Sequence, residues 1–138
     1  MKRFIMIVVI TIAIFSLGAV QPSILGVPNS VITLPINVNT SGDVQLIAAV
    51  ANQTIYVTHY HIVSSGATTF QFDYGTGSNC GSGTTTIDGP MSFIATTGIS
   101  AGIGFGAVIV VPAGNALCIN LGTNSVQVGG TISYQQGN

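Results

Sequence analysis

The side chains of this chain whose types and spacing could do chemistry are two histidines, two cysteines, three aspartates and one glycine-flanked serine. His59 and His61 stand at i and i+2, so on a strand both imidazoles project from one face, as the first two ligands of a metal site would. A competent site takes three or four ligands. The chain has no glutamate and no third histidine, so His59 and His61 are weak metal candidates and no cofactor is expected. Gly98-Ile99-Ser100-Ala101-Gly102 spells the Gly-x-Ser-x-Gly of a nucleophile elbow. No helical pattern follows it, and no Asp, Glu or His lies C-terminal to Ser100 to complete a triad in the usual order. Asp43, Asp73 and Asp88 are too far apart in sequence for a calcium loop or an obvious carboxylate pair. The glycine clusters at 75–77 and 102–106 lack the lysine and the helix of a phosphate-binding loop. A protein that is not an enzyme is expected.

What must position these residues is an unusual composition. Of 138 residues, 47% are hydrophobic and only 4% charged, and 18 are glycine. A chain this apolar buries surface and folds. Past Arg3 there is no Lys, Arg or Glu, which leaves the three aspartates as the only formal charges with neutral histidines. Binding nucleic acid by neutralising phosphates is therefore excluded as an expectation.

The first residues, Met1-Lys2-Arg3, precede the apolar stretch FIMIVVITIAIF at 4–15 and the small residues Ser16-Leu17-Gly18-Ala19. Basic n-region, apolar h-region and small residues read as a secretory signal peptide over 1–19. The competing reading is an uncleaved membrane anchor over 4–20, since the run approaches the length that spans a bilayer. In an exported chain, Cys80 and Cys118 suggest one disulfide, with two free buried thiols as the alternative. Cys80 has no cation beside it in sequence that would make it a reactive thiolate.

After the signal, residues 20–43 read as an extended arm or first edge strand. Val31, Ile32, Leu34, Pro35, Ile36 and Val38 form its apolar part, and Pro35 cannot donate to a ladder, so the segment belongs at a sheet edge. Such an arm either opens its own domain or completes the sheet of a neighbouring subunit. The sandwich domain is expected over 44–138. Its clearest strand is TIYVTHYHIV at 54–63, rich in β-branched and aromatic residues. Strict alternation assigns Ile55, Val57, His59, His61 and Val63 to one face and Tyr56, Thr58, Tyr60 and Ile62 to the other. A hairpin to the strand at 67–74 is expected. Residues 75–83 and 97–106 read as glycine-rich loops, and the runs 107–111, 116–121 and 126–134, separated by turn residues, read as an antiparallel meander. Eight or nine short strands without an amphipathic helix predict an all-β fold, a single antiparallel sandwich of jelly-roll type behind the N-terminal apolar helix. Tyr56, Tyr60 and Tyr74, with Phe70, are candidates for a binding surface that stacks on sugars.

IYVTHYHIV at 55–63, GTGSNCGSGTTTIDGP at 75–90, VVPAGNALCINL at 110–121 and VQVGGTISYQQ at 126–136 together resemble a small domain of tailed-bacteriophage fibre and head-decoration proteins. The resemblance implies a β-sandwich on a virion surface, often oligomeric, with Cys80 and Cys118 as a structural pair. The expected function is that of a structural subunit, exported or virion-associated, whose partners are further copies of itself or other virion or envelope proteins. A surface module that recognises a host receptor or glycan is the alternative. Contact with a membrane is expected only through the N-terminal segment.

Overall fold

The computed structural model describes residues 30–102, 106–123 and 125–138. The signal peptide or anchor expected over 1–19, and residues 20–29 of the arm, lie outside them. Ten strands are described: β1 Ile32–Val38, β2 Gly42–Ile47, β3 Thr54–Ser64, β4 Thr68–Thr76, β5 Ser82–Thr86, β6 Met91–Phe93, β7 Gly98–Ala101, β8 Ile109–Val111, β9 Ala116–Leu121 and β10 Val128–Gly137. They form two antiparallel sheets packed as a sandwich. The first runs β1-β10-β3-β7, with β8 on the same side of β3 as β7; the second runs β2-β9-β4-β5, with β6 beside β5 on β4.

The chain changes sheet at each step from β1 to β4, between β6 and β7, and at each step from β8 to β10, while β4, β5 and β6 share the second sheet and β7 and β8 the first. This corrects two expectations. β3 and β4 are joined by an arch between the sheets and form no hairpin, and β8, β9 and β10 are distributed over both sheets, with no meander. The physical reason is that an arch uses the same Gly, Ser, Asn and Pro as a hairpin turn. Which neighbour a strand takes depends on where its apolar face is buried. A third correction concerns the stretch 97–106, expected as loop: its first half is β7, paired with β3 from Tyr60↔Ala101 to Val63↔Gly98, and Ile99 and Ala101 pack against the core.

The core lies between the sheets. Phe70 and Phe72 of β4 and Leu117, Ile119 and Leu121 of β9 meet Ile55, Val57, Tyr60 and Ile62 of β3 and Ile132 and Tyr134 of β10, all buried. Phe72 stands edge-on to Tyr60 at 5.1 Å and to Phe70 at 5.8 Å between ring centroids, the arrangement that ring quadrupoles favour. Each such wholly buried side chain contributes about 1.5–3 kcal/mol. The first sheet closes tightly at Gly130, whose φ is 153°. A Cβ there would run into the His61 carbonyl of β3, so glycine is required at this position near the start of β10.

β1 is the edge strand of its own sheet, paired with β10 from Ile32↔Tyr134 to Val38↔Val128. Ile36 and Val38 are in the core and Leu34 packs against it. Pro35, opposite Thr131, lies on the edge as its missing N–H requires. β1 and the start of β2, which precede the boundary expected at residue 44, are thus strands of the same sandwich.

Candidate functional site

The phase of β3 sets the candidate site. Ser133 pairs with His59 but Tyr134 pairs with Val57, so Thr58 is an extra residue on β3, a β-bulge. Its hydroxyl donates to the Ser133 carbonyl at 3.2 Å. Gly102, at φ 100°, lies so close that a Cβ would collide with the Thr58 carbonyl. The bulge reverses the alternation half-way along the strand, which corrects the expected faces. Ile55 and Val57 point inward before it, and Tyr60 and Ile62 do so after it. His59 and His61 consequently lie outside with Val63, on a different face from Ile55 and Val57, with which strict alternation had also grouped them.

On the outer face of the first sheet, one cross-strand row holds Thr33, Ser133 and His59, and the next holds Pro35, Thr131, His61 and Ser100. Thr33 Oγ1 and Ser133 Oγ are 2.8 Å apart, and Ser100 Oγ lies 3.4 Å from His59 Nε2. The serine of the elbow-like motif thus meets a histidine that precedes it in the chain, a pairing that the sequence motif does not signal. A hydrolytic triad would need a carboxylate to orient that imidazole. All three carboxylates belong instead to the second sheet, about 10 Å away across the sandwich.

Of the tyrosine candidates, only Tyr56 lies on this face, between Gln135 of β10 and Val110 of β8. Val110 is exposed, whereas Gln135 is buried and its Oε1 has no hydrogen-bond partner among the described residues. Tyr60 and Phe70 are core residues, and Tyr74 packs against the core, so these three form no surface with Tyr56. Burial holds the Tyr60 phenol above its ordinary pKa, and the charge of Asp88 adds to this. Of the arm, Val31 and Ile32 are exposed at the start of β1.

The outer face of the second sheet carries the disulfide. Cys80 and Cys118 are bonded, with Cα atoms 6.3 Å apart and 38 positions between them in sequence. With Ala116 they make a small buried cluster separate from the main core. The bond holds the turn Ser78–Cys80 over β9, and Asn79 Oδ1 accepts the Gln45 N–H of β2 at 3.2 Å. Beside this turn, Asn120 Nδ2 donates to Asp43. Gln71 Nε2 donates to both Asp73 oxygens at 3.2 and 3.3 Å. Asp88 Oδ1 accepts the Phe72 backbone N–H at 2.7 Å.

Among the described residues no three His, Cys, Asp or Glu side chains gather as a metal site would require. His59 and His61 supply two ligands and their neighbours on the face supply none. No helix of the described residues is long and apolar enough to cross a membrane. Compared with known proteins, the chain matches no family model, no curated protein and no solved structure.

Proposed function

We propose that this chain is a non-enzymatic structural subunit, a jelly-roll sandwich that self-assembles on a virion or cell surface. The observation that carries this reading is the outer face of the first sheet. Thr33, Pro35, Asn37, Thr131, Ser133 and Ser100 present small, uncharged side chains there, and Val63 and Val110 are exposed on the same face. Depletion of charge with mixed polar and apolar area is what the centre of a protein interface has. The passage of the chain between the two sheets at each step from β1 to β4 and from β8 to β10 supports the jelly-roll reading, an architecture common in capsid and lectin domains. The buried disulfide and the apolar N-terminal stretch support an exported subunit, anchored by residues 4–20 where that stretch is retained.

A second reading, a surface module for glycans, is favoured by one observation: Tyr56 offers a ring beside exposed Val110, over a buried Gln135 amide oxygen that has no hydrogen-bond partner among the described residues. Light scattering and negative-stain microscopy of the oxidised full chain separate the two. Rings, filaments or closed oligomers are expected. A monomer at every attainable concentration that is captured on a glycan array, and is no longer captured after Tyr56→Ala, would replace the first reading with the second.

A further inference from the structure

The two faces of the sandwich differ in the sign of charge they can carry. His59 and His61 both lie on the outer face of the first sheet, while Asp43 and Asp73 lie on the outer face of the second and Asp88 on its β5–β6 edge. With no lysine or arginine past Arg3, these two imidazoles are the only side chains beyond it that acquire positive charge in ordinary conditions. Histidine does so between about pH 8 and pH 5. The groups facing them from adjacent strands are Ser133 and Thr131 of β10 and Ser100 and Gly102 at β7, none of which titrates in that range. Acidification therefore charges one face alone, and the opposite face already holds carboxylates.

Of those carboxylates, Asp73 is buried and Asp88 is bound to the Phe72 N–H. Asp43 is only half-buried and stands on β2, an edge strand of its sheet. Its row, Asp43, Asn120 and Gln71, is offset along β9 from the row on which the disulfide-bonded turn sits.

We infer that the outer face of the first sheet in one copy docks on the outer face of the second sheet in the next, His59 and His61 against Asp43, and that mild acid tightens this contact. The inference rests on the self-assembly reading and assigns its joint. Two different faces meet, so the contact is heterologous and repeats into a ring or a filament. A second copy is the occupant because this chain carries both complementary faces.

Sedimentation velocity on the oxidised full chain at about pH 8 and about pH 5.5, either side of histidine protonation, tests this. Association on the order of tenfold tighter at the lower pH is expected, as two partly exposed charge contacts contribute a few-fold each. In about 1 M salt, where charges are screened within about 3 Å, the difference should vanish. H59Q/H61Q and, separately, D43N should each lose most of the pH response while far-UV circular dichroism stays unchanged. An acid response that persists in H59Q/H61Q overturns the inference and assigns the effect to neutralised carboxylates. Assembly that ignores pH and these substitutions also overturns it but leaves the self-assembly reading intact. A monomer in every condition removes both.

Discussion

Asp88 shows how one side chain can complete a sheet. β5 pairs with β4 up to Asp73 and β6 pairs with it from Phe70, and the Phe72 N–H in the gap is taken by the Asp88 carboxylate at 2.7 Å. Burial raises the pKa of that carboxyl group and the nearby charge of Asp73 raises it further, while the Phe72 N–H opposes them without overcoming burial. A carboxyl whose folded pKa lies above its unfolded one adds stability that is complete below the unfolded pKa and is lost as pH rises through the folded one. Asp88→Asn keeps an oxygen for the Phe72 N–H and removes the buried charge. Its unfolding midpoint should exceed that of the parent at neutral pH, and the two should converge in acid below the unfolded carboxylate pKa. Urea titrations across the range check this, and a variant less stable at neutral pH would show that the charge itself strengthens the bond. Thr58 makes the complementary point about legibility. The β-type composition of 54–63 identifies the strand, but one extra residue turns the second half over, and no local feature of the sequence marks it. At the bulge the Thr58 hydroxyl bonds to Ser133 of β10, and its backbone carbonyl lies against Gly102, just past the end of β7.

Among the elements, the turn Ser78–Cys80 depends most on a single bond. Asn79 and Cys80 both have positive φ, 48° and 56°, a conformation that side-chain-bearing residues adopt at a cost. Cys80, Cys118 and Ala116 form a buried cluster separate from the main core, so apart from the disulfide the turn is held by hydrogen bonds, among them those of Asn79 to Gln45 and of Cys80 to Thr84. In the chain-entropy model, closing a loop of this length contributes about 4 kcal/mol. The double variant C80S/C118S should lose stability of that order in denaturant unfolding while its far-UV spectrum remains that of the sandwich. Loss of the β-spectrum would mean that the bond is needed for the sheets themselves. The pairing was legible from the presence of two cysteines behind an export-like segment. The order of strands was not, because each short run is compatible with a neighbour in either sheet. Only the joint burial of β4 and β9 against β3 and β10 selects the arches over the hairpins.

On the scale of the molecule, stability and association should respond differently to salt. The described residues include no lysine or arginine, so no such cation pairs with a carboxylate within them. The fold is held by apolar contacts, by hydrogen bonds from neutral donors, a few of them to aspartate carboxylates, and by the disulfide. The unfolding midpoint in urea should therefore move little between low salt and about 1 M sodium chloride, a range in which screening of surface charges is nearly complete. A strong dependence would reveal an electrostatic contribution that this arrangement of charges does not account for.

Composition and pattern alone determined the all-β class, the absence of lysine and arginine past Arg3, the disulfide partners and the edge position of Pro35. Each follows from local chemistry: β-branched alternation, missing charges, two thiols, a missing N–H. Tertiary structure alone decided that Tyr60 and Phe70 belong to the core, that Ser100 meets His59, that the histidines and the aspartates occupy opposite sheets, and that β3 and β4, like β8, β9 and β10, pass between the sheets. These are contacts between residues distant in sequence, and their energies arise only when the two sheets close on a common core.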